Sequence, residues 1–314
     1  MACFFKERMN FAVELRLKTP GDGILAPMKV KEADYAVRRR RALKRVDKEL
    51  SKSDFKRALS LVKQLQGKPF GLRGFGAAKQ VPRSRLVLNQ LVFNGIDLSP
   101  LGPLVDSVMD SIDKSLHFLL PDGERRGSSC EEDHFLCLQH EAGHFLVGYL
   151  LGALPKRYTV PSVEELRDGN FEGGKVEFLG FEFLREVGAA QMLRKNIINE
   201  ESSCSGNRGK ISSKTLNNFS CIILGGLVVE HLVFGDSEGH YSDVDKEQLD
   251  KALKWLGFSN SEANFQVRWA ALNTVFVLCR HHKARLKLVE AMAQRQSVGF
   301  CIDAIENAID GRQI

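Results

Sequence analysis

Residues 129–152 read SCEEDHFLCLQHEAGHFLVGYLLG, and this stretch predicts one long helix with a candidate site near its middle. Ser129 and Glu132 have the spacing of a capping box, which marks the start of a helix. Gly152 and Pro155 mark its end, because glycine and proline commonly follow the last helical turn. The central residues of the stretch therefore share one helical frame.

The middle of this helix carries the pattern HExxH, as His140-Glu141-Ala142-Gly143-His144. Two side chains four positions apart lie on one helix face, so both imidazoles can reach a single ion. Imidazole nitrogen is a common zinc ligand, and Glu141 lies roughly 100° around the helix, where it can act as a general base. The alternative is an ordinary buried helix with two hydrogen-bonded core histidines.

A catalytic zinc needs a third protein ligand. The downstream candidates by residue type are Glu230, His231, His240, Asp243, Asp245, His281 and His282. A glutamate soon after the motif would be Glu164 or Glu165, which lie in a loop-like stretch. Ser242 has the character of an N-cap, and acidic residues at 243 and 245 would offset the helix dipole without any metal.

The chain divides into four segments by composition and pattern. Residues 1–33 contain several glycines and prolines and are expected to be loose. Residues 34–67 predict a basic helical hairpin, since two apolar stripes are separated by a serine-containing break. Residues 68–128 are expected to be a connector with one short helix, and residues 129–314 form the main domain.

The main domain is predicted to be mainly α (α+β), with a small β-hairpin after the HExxH helix. Strand-like residues 158–161 and 175–183 flank a glycine-rich loop, which is typical of a hairpin. A buried helix is predicted over 214–234, and a further helix is predicted to begin at Ser242.

Charge is unevenly distributed along the chain. The net charge is +6, yet the segment from Lys29 to Arg73 holds 15 basic and 5 acidic residues, so it carries +10 and the remainder carries −4. Such a segment could contact nucleic acid or anionic lipid, or offer a docking surface to an acidic partner. No nucleic-acid motif accompanies it, so a solvated or protein-docking helix face is preferred.

Three further features narrow the class of protein. The seven cysteines include no CxxC pair, which argues against a disulfide framework and favours a reducing compartment. No run of about 18 apolar residues exists, so no transmembrane segment is expected and residues 221–234 are interpreted as a core helix. Residues 1–20 show neither a secretory signal nor a clear transit peptide.

Three stretches resemble, in order, the peptidase domain of FtsH-type ATP-dependent zinc metalloproteases: HEAGHFLVGYLLG (140–152), LGGLVVEHLVFG (224–235) and GHYSDVDKEQLDKAL (239–253). That family has HEAGH, then a helix with GGRxAEE, then TGAxxDL, whose aspartate is the third zinc ligand. Gly225, Gly226 and Glu230 match the second motif, and Gly239 followed four residues later by Asp243 matches the third.

The resemblance implies a zinc-dependent metalloendopeptidase. Its metal ligands would be His140, His144 and Asp243, and Glu141 would be the catalytic base. Around the motifs, the family arginine is Leu227 here, the second family glutamate is His231, and the family threonine and alanine are Glu238 and His240. These departures bear on substrate handling rather than on the ligands.

Family members also carry an ATPase module, which requires the pattern GxxxxGK[ST]. Neither Gly67-Lys68 nor Gly209-Lys210 fits that pattern. The chain therefore resembles most closely the ATPase-less FtsH-like proteins of plants, and this resemblance implies a chloroplast location. It also implies a protein or peptide substrate, a separate ATPase or FtsH-type complex as a partner, and a possible homo-oligomer.

Two functions are compatible with these patterns. The preferred one is peptide hydrolysis by metal-activated water. The other is a catalytically inactive pseudoprotease that keeps the fold as a scaffold or regulatory partner, since no unfolding machine is encoded in the sequence. A basic nucleic-acid binder is a third possibility, and its binding would depend strongly on salt.

Overall fold

The structure is a computed structural model that describes residues 29–68, 71–87, 92–117, 130–168, 173–196, 209–235 and 240–309. Several predicted features lie outside the described residues: the first 28 residues of the loose segment, the helix cap Ser129, residues 169–172 of the glycine-rich loop, and Glu238 and Gly239 of the third motif.

The fold is mainly helical with two small antiparallel hairpins, so the predicted fold class is confirmed. The helices are α1 Lys29–Ser51, α2 Phe55–Leu65, α3 Arg83–Val87, α4 Gly102–His117, α5 Cys130–Leu151, α6 Val163–Arg167, α7 Leu184–Asn196, α8 Ser213–Ile223, α9 Gly225–Phe234, α10 His240–Trp255, α11 Asn260–Arg280, α12 His282–Ala293 and α13 Val298–Ala308. The strands are β1 Val92–Phe93, β2 Ile96–Asp97, β3 Pro155–Thr159 and β4 Lys175–Phe178.

Helix α5 is the centre of the molecule, and it is surrounded by α8, α9, α11, α12 and the β3–β4 hairpin. Every residue from Cys137 to Leu151 is buried, which explains why this part of the helix is mainly apolar apart from Gln139 and the HExxH residues. It approaches α9 most closely where two glycines meet. A Cβ atom at Gly143 would lie 2.3 Å from the carbonyl oxygen of Gly225, so only glycine permits this contact.

The predicted helix over 214–234 is two helices, because α8 ends at Ile223 and α9 begins at Gly225. Together they are long and apolar enough to cross a membrane by length and composition, but 78% of the most apolar 18-residue window is buried within the protein. The interpretation as a core element therefore holds for this stretch.

The β3–β4 hairpin lies beside α5, as predicted, although β3 begins three residues earlier than expected. Tyr158 pairs with Val176 and Thr159 with Lys175 in the antiparallel register. The connector is more regular than predicted: besides α4 it contains the short helix α3 and the β1–β2 hairpin.

The basic hairpin α1–α2 is attached firmly to the C-terminal helix. Arg39 Nε and Arg40 Nε each lie 2.7 Å from a carboxylate oxygen of Asp303 on α13. Leu43 and Val46 of α1 are buried in the same apolar core as α5. The hairpin and the residues from 130 onward therefore share one core.

A buried carboxylate on α13 also binds the connector, residues 68–128. Glu306 on α13 is fully buried and accepts hydrogen bonds from the backbone N–H groups of Arg73 and Gly74, at 2.9 and 2.7 Å. The hydroxyl of Tyr149, on α5, donates to it at 2.6 Å. Three donors compensate the cost of burying this charge and fix the C-terminal end of α5.

His281, at the junction of α11 and α12, generates a prediction about acid stability. It is 6% exposed, and burial, with Arg280 nearby, lowers its pKa to about 4. In the unfolded chain the pKa of this histidine is near its ordinary value of about 6.5. The neutral, buried imidazole therefore makes its full contribution to the free energy of unfolding above about pH 6.5, and this contribution is lost as the pH falls toward 4. We expect His281→Gln to reduce the loss of unfolding free energy between about pH 7 and pH 5 by about 2 kcal/mol, measured by urea denaturation. An unchanged pH dependence would contradict this assignment.

Candidate metal centre

Two imidazole rings meet in the interior of the protein. His140 and His144 are one helical turn apart on α5 and are 2% and 7% exposed. Their Nε2 atoms lie 2.9 Å apart. The predicted pairing of the two histidines on one helix face is therefore present.

Neighbouring helices orient both rings through the opposite nitrogen. His140 Nδ1 donates to Glu230 Oε1 on α9 at 2.7 Å, and His144 Nδ1 donates to the carbonyl oxygen of Ile222 on α8 at 2.7 Å. With the hydrogen on Nδ1, the Nε2 lone pair of each neutral ring points into the site. The helices α8 and α9 thus set the tautomer of both rings.

The third acidic group at this point is Asp245. Its Oδ2 atom lies 3.0 Å from His140 Nε2 and 2.9 Å from His144 Nε2, and its side chain is 14% exposed. Three atoms from three side chains therefore converge at one point.

Asp243 does not occupy this position, so the geometry corrects the prediction that it closes the site. Its side chain is 56% exposed and lies 3.2 Å from Lys246 Nζ. Both aspartates are in the first turns of α10, where two positions correspond to roughly 200° of rotation. They therefore face opposite ways, and only Asp245 faces α5.

The other candidate ligands have other positions. Glu230 orients His140, and His231 contacts Ser107 Oγ on α4 at 3.3 Å. Glu164 and Glu165 are in α6, where Glu165 forms a capping box with Ser162. The remaining candidates are His240, whose side chain is outside the described residues, and His281 and His282, which lie at the junction of α11 and α12.

Glu141 lies beside the three converging atoms, as the HExxH pattern predicts. It is 3% exposed, and its Oε2 atom has no hydrogen-bond partner. Burial raises its pKa, an effect that the nearby imidazoles of His144 and His140 oppose. Gly174, the residue before strand β4, lies close to it: a Cβ atom at Gly174 would lie 2.7 Å from Glu141 Oε1 and 2.6 Å from the sulfur of Cys137.

The electrostatics favour a positive charge between the converging atoms. Burial opposes protonation of His140 and His144, but the carboxylate of Asp245 outweighs it, with Glu230 also acting on His140, so the pKa of each ring is raised. Burial likewise raises the pKa of Asp245, but the two imidazoles reverse this and hold it below its usual value. A proton or a metal ion at this point is stabilised by all three groups.

The donor set fits zinc. Two imidazole nitrogens and one carboxylate oxygen are a common set for a catalytic zinc, with bonds of about 2.0–2.2 Å. Ligands at such bond lengths in a tetrahedron lie roughly 3.3 Å apart, so the observed 2.9–3.0 Å differs by a few tenths of an ångström. Gly226 makes room for this arrangement, since a Cβ atom there would lie 2.3–2.4 Å from three atoms of the His140 ring.

Comparison with family models, curated proteins and solved structures gives no match to this chain.

The sequence signals for the supporting residues differ in kind. The paired glycines and Glu230 stand out in the second motif, although their contact with His140 is visible only in the structure. The carbonyl of Ile222 has no sequence signal, because any residue can supply it. Asp245 was among the candidates by residue type, but a linear spacing could not select it over Asp243.

The two aspartates provide a matched test of the third ligand. We expect Asp245→Asn to weaken zinc binding by at least about 100-fold, because it removes the charge from the converging set, whereas the loss of an orienting partner typically costs 10–100-fold. Asp243→Asn should leave zinc affinity unchanged. Competition with a chromophoric chelator measures both, and the reverse ranking of the two variants would contradict the assignment.

Gly226 and Gly188 provide a second matched pair. Gly226→Ala should displace the His140 ring and reduce zinc occupancy, since the added methyl group would overlap the imidazole. Gly188→Ala, in α7 with no neighbouring atom within 4 Å, should keep zinc and stabilise its helix by up to about 1 kcal/mol. Zinc content by elemental analysis, beside thermal melting of each variant, distinguishes the two. Full zinc occupancy in Gly226→Ala would show that the close contact is unimportant.

Proposed function

We propose that this protein is a zinc-dependent metalloendopeptidase in which His140, His144 and Asp245 hold the metal and Glu141 is the general base. One observation carries the proposal: three metal-binding atoms converge within 3.0 Å beside a buried carboxylate whose Oε2 has no partner. Zinc held there would lower the pKa of a coordinated water to about 7 and polarise a peptide carbonyl.

The chain's own residues have distinct tasks in this reaction. Glu141 Oε2 accepts a proton from the attacking water and returns it to the leaving amine. Glu230 and the Ile222 carbonyl keep both rings in one tautomer during the transfer.

The resemblance to FtsH-type peptidases supports the same proposal. Gly225 and Gly226 lie where α9 approaches α5, and Glu230 bonds to the first histidine of the motif. The third motif lies at the matching place along the chain, but the aspartate next to the two histidines is Asp245, two residues after Asp243. These agreements favour a peptidase site over the alternative of a buried helix with two hydrogen-bonded core histidines.

The proposed substrates are peptides and unfolded protein segments. Neither Gly-Lys pair has the sequence of a phosphate-binding loop, so unfolding of a folded substrate would be the task of a separate ATPase. The same proposal allows for regulation, in which the enzyme cleaves only substrate chains that a partner protein has already unfolded.

Glu141→Gln tests the proposal against the scaffold alternative. After zinc loading, we expect hydrolysis of casein and of a fluorogenic peptide to fall by about 10²–10⁴-fold, while zinc content stays the same. Glu131→Gln, an exposed change in the first turn of the same helix, should retain the wild-type rate.

Two outcomes would contradict the peptidase assignment. Equal rates for wild type and Glu141→Gln would show that the activity arises elsewhere. A zinc-loaded wild type with no hydrolysis of either substrate would favour the scaffold.

A further inference from the structure

We propose that the outer face of α1 docks onto a bilayer that carries anionic lipid headgroups. Three basic side chains form a single row on this face, called here the basic stripe: Arg41, Arg45 and Lys48. All three are exposed. Their spacing of four and three residues keeps them on one side of the helix over about 10 Å.

Acidic side chains of this part of α1 point elsewhere. Asp47 accepts hydrogen bonds from Ser297 Oγ and from the backbone N–H of Gly299, both at 2.7 Å, so it faces α13. Glu49 is 7% exposed and lies within 4.0 Å of a nitrogen of Lys52 and of Arg57, on the α2 side. The stripe between these two sides keeps its positive charge.

The basic stripe is held rigidly against the protein. Arg39 and Arg40 bind Asp303, and Leu43 is buried, so the inner face of α1 is fixed to α13 and the core. A flat anionic surface can therefore meet all the charges of the stripe at once. Each lysine or arginine near such a surface contributes about 1 kcal/mol to binding.

An apolar side chain beside the stripe favours a bilayer over other anionic partners. Val37, one turn before Arg41 on the same side of α1, is 44% exposed. Exposed aliphatic and aromatic groups next to cations insert into the bilayer interface, whereas an aliphatic group adds little to a contact with a phosphate backbone.

Docking through this face goes beyond peptide hydrolysis and is independent of it. The stripe lies on α1, and the metal centre is built from α5, α8, α9 and α10, so neutralising the stripe changes no residue of the site. Membrane binding and zinc content can therefore be measured separately on one preparation.

The test is co-sedimentation of the full chain with vesicles of phosphatidylcholine containing about 30% phosphatidylserine, at low salt. The triple variant Arg41→Gln, Arg45→Gln, Lys48→Gln should partition about 100-fold more weakly than wild type. A control triple variant, Lys210→Gln, Lys214→Gln, Lys283→Gln, removes the same charge from exposed positions elsewhere and should partition within a few-fold of wild type. Thermal melting and zinc content confirm that each variant is folded.

Binding should weaken as salt rises above about 0.1 M, and vesicles of pure phosphatidylcholine should bind little. Equal partitioning of wild type and the stripe variant would overturn the proposal, as would wild type that does not sediment with anionic vesicles. Single-stranded RNA and polyglutamate are the competing probes. Stripe-dependent binding to either that is tighter than binding to vesicles would assign the surface to nucleic acid or to an acidic protein instead.

Discussion

Three acceptor atoms brought within 3.0 Å of one another in a buried place are the constraint on which the rest of the structure depends. Two lone pairs and a carboxylate repel one another unless a cation lies between them, and burial increases the cost. The surrounding packing maintains this arrangement. Gly143 and Gly225 allow α5 and α9 to touch, and α8 and α9 supply the acceptors that fix both rings.

Local sequence patterns predicted the features of the site that lie within a single helix. The capping signal, the HExxH spacing and the closing glycine identify α5, and i to i+4 geometry alone places His140 beside His144. The third acid depends on how another helix packs, and a spacing counted along the chain could not show which of two aspartates faces inward. The same limit applies to Ile222, whose contribution is a backbone carbonyl.

The N-terminal part illustrates a different limit. Composition predicted a basic hairpin and a connector, but burial of Leu43 and the bonds to Glu306 and Asp303 join both to the C-terminal helix. Long-range contacts of this kind leave no periodic signal in sequence. Their consequence is functional as well as structural, because they fix the site helix at Tyr149 and leave one charged face of α1 directed outward.

The most direct test of the central claim is a crystal structure of the zinc-loaded protein with anomalous diffraction at the zinc edge. The account predicts one zinc peak at bonding distance, about 2.0–2.2 Å, from Nε2 of His140, Nε2 of His144 and an oxygen of Asp245. A crystal grown with zinc that shows no peak between these atoms, or a peak bound by Asp243 instead, would contradict it.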